Sequence, residues 1–166
     1  MSFRFLVIGC LLLFWIPVAS AQSLWPGSRA GMTTTEVRHE FPGAYTPKEP
    51  MRRISGELGL LELDTILAGE IPFKVYFYFS AHGLVNVELK SSRSLSEKEF
   101  RLATSILEEA LSTKYGVAQS TDFRGIRIRK WISGQTIIQI GSYFLPDAEG
   151  ITIAYTSRVH LAAEQL

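Results

Sequence analysis

Residues 73–90, FKVYFYFSAHGLVNVELK, decide the fold class of this chain. Residues 73–80 are rich in aromatic and β-branched side chains, which is typical of a strand. Residues 84–90 alternate apolar and polar side chains with a period of two, as in a strand with one buried face. Gly83, at the end of the short link between them, has the backbone freedom that a tight turn requires. The stretch therefore predicts an antiparallel β-hairpin.

The residues before this hairpin predict a short capped helix, a loop and one more strand. Thr33 is followed three positions later by Glu36, the spacing of a capping box that begins a helix. Pro42 and Gly43 end that helix after about two turns. Residues 44–50 are rich in proline and predict a surface loop, and residues 59–66 predict a strand.

The residues after the hairpin repeat this order. Ser96 and Glu99 form a second capping box, and an apolar stripe at helical spacing continues to about Tyr115, where Gly116 follows. The stripe consists of Phe100, Ala103, Leu107, Ala110, Leu111 and Tyr115. Three strands are predicted next, at residues 125–132, 135–142 and 150–157.

Helices followed by runs of strands predict an α+β fold rather than alternating βαβ units. We expect two units, each a helix plus a three-stranded antiparallel meander, at residues 22–92 and 93–160, with a C-terminal tail at 161–166. We expect both helices to pack on one face of the sheet, because the apolar stripe of the second helix needs a surface to cover it.

The first 21 residues predict a cleaved signal peptide. Arg4 precedes an apolar run at residues 5–19, and Ala19-Ser20-Ala21 is a small-x-small cleavage site, so Gln22 becomes the mature terminus. The run of about 15 residues is shorter than the roughly 18–20 that span a bilayer. We expect secretion, to a bacterial periplasm, with no transmembrane segment after processing. Lipid attachment at Cys10 is not expected, because most of the apolar run follows that cysteine.

Composition excludes several classes of function. The chain of 166 residues has a formal net charge of +1, whereas nucleic-acid binders carry a basic surplus. Removal of residues 1–21 leaves 16 basic and 16 acidic side chains and takes away the single cysteine, Cys10. A mature chain without cysteine has no thiol chemistry and depends for stability on burial in its core.

Gly31, Met32, Thr33, Glu36 and Val37 resemble the start of the SmpA/OmlA-type outer-membrane assembly lipoproteins, in which a short helix follows the signal peptide. Those proteins belong to a wider helix-plus-β-meander group that includes the tandem-repeat β-lactamase inhibitor proteins. The resemblance implies a protein-binding module, and it also admits an inhibitor of a secreted enzyme. This chain departs from the pattern in two places: it has no mature N-terminal cysteine, and Phe41-Pro42-Gly43 ends its first helix.

Catalytic and metal-binding patterns are scarce in this sequence. His39 lies three residues after Glu36, but a carboxylate-bridged metal site needs a second such pair from another helix. Glu62 and Asp64 are paired carboxylates for which a solvent-facing strand is the simpler interpretation. His82 and His160 have no partner at a recognisable spacing. We therefore predict a protein that is not an enzyme and has no cofactor and no metal.

Two surface features predict a binding site. Residues 124–131 interleave basic side chains with isoleucines, and alternation places Arg127 and Arg129 on one face with Trp131. Tyr76 and Tyr78 share one face of the aromatic strand, and tyrosine suits interfaces with one wet end. These five residues predict an outer face that docks an envelope protein or an anionic envelope surface. The alternative is a small-ligand carrier or an envelope enzyme with a pocket between sheet and helix, and the oligomeric state stays open.

Overall fold

The computed structural model describes residues 22–145 and 148–159, which form two helices and eight strands. The predicted signal peptide with Cys10 and Ala21, His160 and the tail at 161–166 lie outside the described residues. The elements are α1 (Thr34–Glu40), β1 (Met51–Arg52), β2 (Leu58–Leu67), β3 (Ile71–Ser80), β4 (Gly83–Ser91), α2 (Glu97–Tyr115), β5 (Gln119–Phe123), β6 (Ile126–Ser133), β7 (Thr136–Leu145) and β8 (Ala148–Ser157).

The eight strands form one antiparallel sheet in the order β1-β2-β3-β4-β8-β7-β6-β5. The α+β class and both helices are confirmed, and the six predicted strands correspond to β2–β4 and β6–β8. The sequence prediction missed β1 and β5. Strand β1 has only two residues, and β5 is polar and exposed along most of its length, so neither has the apolar alternation of a half-buried strand.

Both helices begin at the predicted capping boxes. In α1 the Glu36 N–H donates to Thr33 Oγ1 at 3.2 Å, and the Thr33 N–H donates to Glu36 Oε2 at 2.7 Å. In α2 the same reciprocal pair joins Ser96 and Glu99, at 3.4 and 2.9 Å. Each box satisfies two backbone donors that a helix start otherwise leaves without a partner.

The face of the sheet that contacts α2, here called the inner face, carries the hydrophobic core. Helix α2 contacts β6, β7 and β8, and its Leu107 and Leu111 belong to the same buried cluster as Val37 of α1. Side chains that are paired across antiparallel strands lie on the same face. One cross-strand row of this cluster contains Leu61, Phe77, Val87, Tyr155, Ile138 and Trp131.

The opposite face, here called the outer face, carries the residues that alternate with the core. Its adjacent row contains Gly59, Tyr78, Asn86, Thr156, Ile137 and Ile132. Asn86 is fully buried in this row, and its Nδ2 donates to Thr156 Oγ1 at 2.6 Å. That bond links β4 to β8, the two strands at which the first and second halves of the chain meet.

The hairpin between β3 and β4 is joined to the segment before α1. The Gly31 N–H donates to the Leu84 carbonyl, and the Leu84 N–H donates to the Met32 carbonyl, both at 2.8 Å. Gly83 has a φ of +98°, and a Cβ at this position would overlap the Gly31 carbonyl oxygen. The close approach therefore requires glycine at position 83.

Candidate functional site

The five predicted site residues lie on opposite faces of the sheet. Tyr78 belongs to the outer row described above, whereas Trp131 belongs to an inner row, and Arg129 is paired with the core residue Ile140. The alternation of β6 is as predicted, but its orientation is the reverse of the predicted one: Arg127, Arg129 and Trp131 face α2. Burial of the large indole ring gains more apolar area than burial of an isoleucine, and α2 offers carboxylates to the arginines.

Trp131 is a core residue and not a surface anchor. Its side chain is 2% exposed and lies in the hydrophobic cluster with Leu107 and Leu111. Its indole N–H donates to the carbonyl of Gly116 at 3.0 Å. This bond satisfies a buried polar group and fastens the C-terminal end of α2 to the sheet.

Arg129 lies beneath α2 and contacts two carboxylates. Its Nη1 lies 2.6 Å from Asp122 Oδ1 on β5, and its Nε lies 3.8 Å from Glu108 Oε2 on α2. The hydrogen bond with Arg129 lowers the pKa of the Asp122 carboxyl, and the same bond raises the pKa of Arg129. This arginine therefore ties the edge strand to β6 and to the helix.

Arg127 is held much more loosely. Its guanidinium lies 3.9 Å from Glu108 Oε1 and 3.9 Å from Asp122 Oδ1, and half of its side chain is exposed. At these distances both contacts are ion pairs without a hydrogen bond. Arg127 therefore keeps donors that a ligand carboxylate or phosphate would fit.

Tyr78 lies on the outer face but is covered. Its side chain is 2% exposed, and the Arg53 guanidinium lies 5.3 Å from the centre of its ring, within the range of a cation–π contact. Burial, together with the nearby Glu88 carboxylate, raises the pKa of the Tyr78 hydroxyl. A partner that docks on the outer face would meet Arg53 before it met this ring.

Tyr76 is half-buried beside Tyr78. The two ring centres are 6.3 Å apart, and Lys90 Nζ lies 5.5 Å from the centre of the Tyr76 ring. Burial also raises the pKa of the Tyr76 hydroxyl. Tyr76 is thus the one of the five predicted residues that is both on the outer face and accessible from it.

The paired carboxylates Glu62 and Asp64 lie on the outer face and share one lysine. Lys74 Nζ is 3.3 Å from Glu62 Oε2 and 3.2 Å from Asp64 Oδ1, and it also donates to the Tyr45 hydroxyl. That hydrogen bond is the main cause of the raised pKa of Lys74. Both carboxylates therefore share one cation, which offsets one of their two negative charges.

The outer face of β5–β7 carries an apolar patch, which includes the isoleucines that the sequence interpretation placed opposite Arg127 and Arg129. The outer patch, as we call it, consists of Phe123, Ile126, Ile128, Ile132 and Leu145. Phe123 is 63% exposed, Ile132 48% and Ile126 40%. The burial of Trp131 is what identifies this patch: because Trp131 faces the core, the isoleucines that alternate with it face outward.

A cleft of about 350 Å³ lies between α2 and the strands β6 and β7. This inner cleft, as we call it, is lined by Glu97, Phe100, Arg101, Thr104, Ser105, Glu108, Gly125, Arg127, Ser142 and Phe144. Among the residues that the structure describes, Thr104 Oγ1 and Glu108 Oε1 are buried side-chain atoms without a hydrogen-bond partner. The alternative interpretation of the sequence expects a pocket between sheet and helix, but no local sequence pattern identifies these lining residues, because they come from three elements.

Within residues 22–145 and 148–159, no group of three or more His, Cys, Asp or Glu side chains is placed to hold a metal ion. His39 and His82 are both exposed. In the same part of the chain, no helix has the length and apolar character needed to cross a membrane.

Comparison with known proteins yields no relative for this chain. No protein-family model matches it, and neither a curated protein nor a solved structure is detectably similar to it. The resemblance of residues 31–37 to the outer-membrane assembly lipoproteins stays a prediction. The outer patch and the inner cleft are therefore the features of the structure that bear on function.

Proposed function

We propose that this protein is a non-catalytic protein-interaction module of the bacterial cell envelope. The observation that carries the proposal is the outer patch, where bulky apolar side chains remain exposed on the face opposite the core. Clusters of exposed apolar side chains on a soluble domain commonly mark a surface that a partner covers. Tyr76 lies on the same face and extends the docking surface toward β3.

The chemistry of the outer patch defines its partner. Lys130 is paired with Gln139, between Ile128 and Ile132 on the same strand, so a cation lies among the apolar side chains. A partner segment with apolar side chains and one carboxylate complements this arrangement, because the carboxylate pairs with Lys130 as water is displaced. We therefore commit to an envelope protein with such a segment, rather than to a lipid surface.

The secreted location belongs to the same proposal. Residues 1–21 have the pattern of a cleaved signal, and Gln22 is well anchored: its amide donates to Thr136 Oγ1 at 3.0 Å, and Ser157 Oγ donates to its Oε1 at 3.1 Å. Mass spectrometry of the periplasmic fraction should find a chain that begins at Gln22. A chain that retains residues 1–21, or a lipid on Cys10, would contradict this part of the proposal.

A duplicated architecture would suit a module of this kind. The capping boxes at the starts of α1 and α2, and a strand order in which β4 pairs with β8, support a division into units at residues 22–92 and 93–160. We infer two helix-plus-meander units with both helices on the inner face. The apolar contacts of Val37 and Leu107 within one core cluster support this inference.

The test of the docking surface is a double variant, Ile126→Ser with Ile132→Ser, compared with the single variant Ile66→Ser. Ile66 is also an exposed isoleucine of the outer face, but it lies on β2 in the other half of the sheet. Crosslinking in the periplasm should recover an envelope protein with the parent chain and with Ile66→Ser, and lose it with the double variant. Equal recovery with all three chains would overturn the proposal.

A second variant tests the charge of the docking surface. Lys130→Glu should weaken recovery of the same partner at least tenfold, because two carboxylates would then face each other. Arg127→Glu, on the inner face, should leave recovery unchanged. The reverse result would move the docking surface to the basic face of β6.

A further inference from the structure

The inner cleft is a second candidate site, and it lies on the face of the sheet opposite the outer patch. Four of its polar residues, Glu97, Arg101, Thr104 and Glu108, are spaced three or four positions apart and form one stripe of α2. Strands β6 and β7 supply the opposite wall. Its volume of about 350 Å³ is at the lower end of the range for pockets that hold small molecules.

Two polar atoms at this cleft have no partner among the described residues. Thr104 is 2% exposed, and its hydroxyl makes no hydrogen bond. Glu108 Oε1 is also buried without one. A buried polar atom left in this state costs about 1–3 kcal/mol, so such atoms in a native protein call for an explanation. A ligand with a hydrogen-bond donor would satisfy both.

The charged side chains that line the cleft form two pairs of opposite charge, and only one pair is hydrogen-bonded. Glu97 is bonded to Arg101, whose Nη2 lies 2.6 Å from Glu97 Oε1. Glu108 and Arg127 face each other, and the gap of 3.9 Å between Oε1 and Nη1 is too long for a hydrogen bond. The other charged contacts of these two side chains, to Arg129 and to Asp122, are equally long at 3.8 and 3.9 Å. The cleft therefore offers one cation and one anion side by side, each with unused hydrogen-bonding capacity.

An apolar wall completes the cleft. Phe100 of α2 and Phe144 of β7 contact each other with their ring centres 5.3 Å apart, and both line the cleft. A ligand that uses Arg127 and Glu108 can therefore place an apolar group against aromatic rings.

We propose that the inner cleft binds a free α-amino acid with an aromatic or branched apolar side chain. The ligand carboxylate accepts hydrogen bonds from the Arg127 guanidinium, and its ammonium group donates to Glu108 Oε1 and to the Thr104 hydroxyl. Because Arg127 and Glu108 are close together, the ligand must carry its opposite charges on neighbouring atoms, as an α-amino acid does. Its side chain packs against Phe100 and Phe144.

Titration calorimetry with L-phenylalanine tests this proposal directly. Binding should weaken at least tenfold for 3-phenylpropionate, which lacks the ammonium group, and for phenethylamine, which lacks the carboxylate. Arg127→Met should lower the affinity for L-phenylalanine at least tenfold. Arg52→Met, an exposed arginine on β1 at the other edge of the sheet, is the matched control and should change nothing.

Thr104→Val separates a ligand contact from a structural role. The variant removes a buried hydroxyl that has no partner, so the melting temperature should stay the same or rise, while the affinity for L-phenylalanine falls several-fold. The proposal is overturned by no binding of L-phenylalanine at millimolar concentration. It is also overturned if 3-phenylpropionate or phenethylamine binds as tightly as L-phenylalanine, or if Arg127→Met binds L-phenylalanine as tightly as the parent chain does.

Discussion

Strands β3 and β6 both alternate two kinds of side chain, but they turn opposite kinds toward the core. In β3 the inner side chains are Phe73, Val75 and Phe77, and the polar or amphipathic ones point outward. In β6 the arginines point inward beneath α2, and the isoleucines point outward. A strand's own pattern therefore does not determine which of its faces is buried.

The neighbours of each strand explain the difference. Strand β3 lies between β2 and β4, both of which add apolar side chains to the inner face. Its phenylalanines therefore pack among apolar neighbours in the hydrophobic core. Strand β6 lies beside the edge strand β5, and there the inner face meets the polar stripe of α2 with Glu108. Arginines at that position find carboxylates, and Trp131 fills the apolar space further along the strand.

The largest effect should come from Trp131→Ala, which tests the orientation of β6. Loss of the buried ring and of its hydrogen bond to Gly116 should lower the free energy of unfolding by about 3–5 kcal/mol. Urea denaturation measures the change. The neighbouring variant Ile132→Ala should cost only about 0.5 kcal/mol, because that side chain is half exposed on the outer face. Equal losses in the two variants would contradict the assignment of faces.

A smaller effect is expected for Arg129→Met, which tests the charged contacts beneath α2. Removal of the guanidinium leaves the half-buried Glu108 carboxylate with only the distant Arg127, and should cost about 1–3 kcal/mol. Lys130→Met, one residue along and on the outer face, should change stability by less than about 0.5 kcal/mol. Comparable urea midpoints for the two variants would show that the inner arginine is not structural.

The smallest effect concerns the start of α2, the helix that distinguishes β6 from β3. Hydrogen bonds from Arg93 and Ser96 lower the pKa of Glu99 to about 2 from its ordinary value of 4.5. A carboxyl group whose pKa is lower in the folded state stabilises the protein above pH 4.5, and that contribution is lost as the pH falls from 4.5 to 2.

Urea midpoints at pH 6, 4, 3 and 2 would show this loss. Glu99→Gln should be less stable than the parent chain at pH 6, and the difference should shrink toward pH 2. Glu109→Gln, on the same helix but outside the capping box, is the control. A difference that stays constant with pH would mean that Glu99 stabilises α2 without its charge.

Much of the secondary structure could be predicted from the sequence because its signals are local. The capping boxes at Thr33 and Ser96 and the alternation in β3 and β4 depend on residues a few positions apart. The candidate site was predicted less well: Tyr76 is accessible on the outer face, whereas Trp131 is buried and Tyr78 is covered by Arg53. The outer patch and the inner cleft combine residues from separate strands and from α2, so no local sequence pattern predicts them.

The sequence by itself determined where the helices begin, where six of the eight strands lie and which side chains alternate together, because hydrogen-bonded caps and the period of a strand are properties of short segments. Only the tertiary structure decided that β4 pairs with β8 and that β6 turns Trp131 toward α2. Those outcomes depend on the area buried between segments far apart in the chain. The orientation of one strand then leaves isoleucines exposed on one face and Arg127 beside Glu108 on the other.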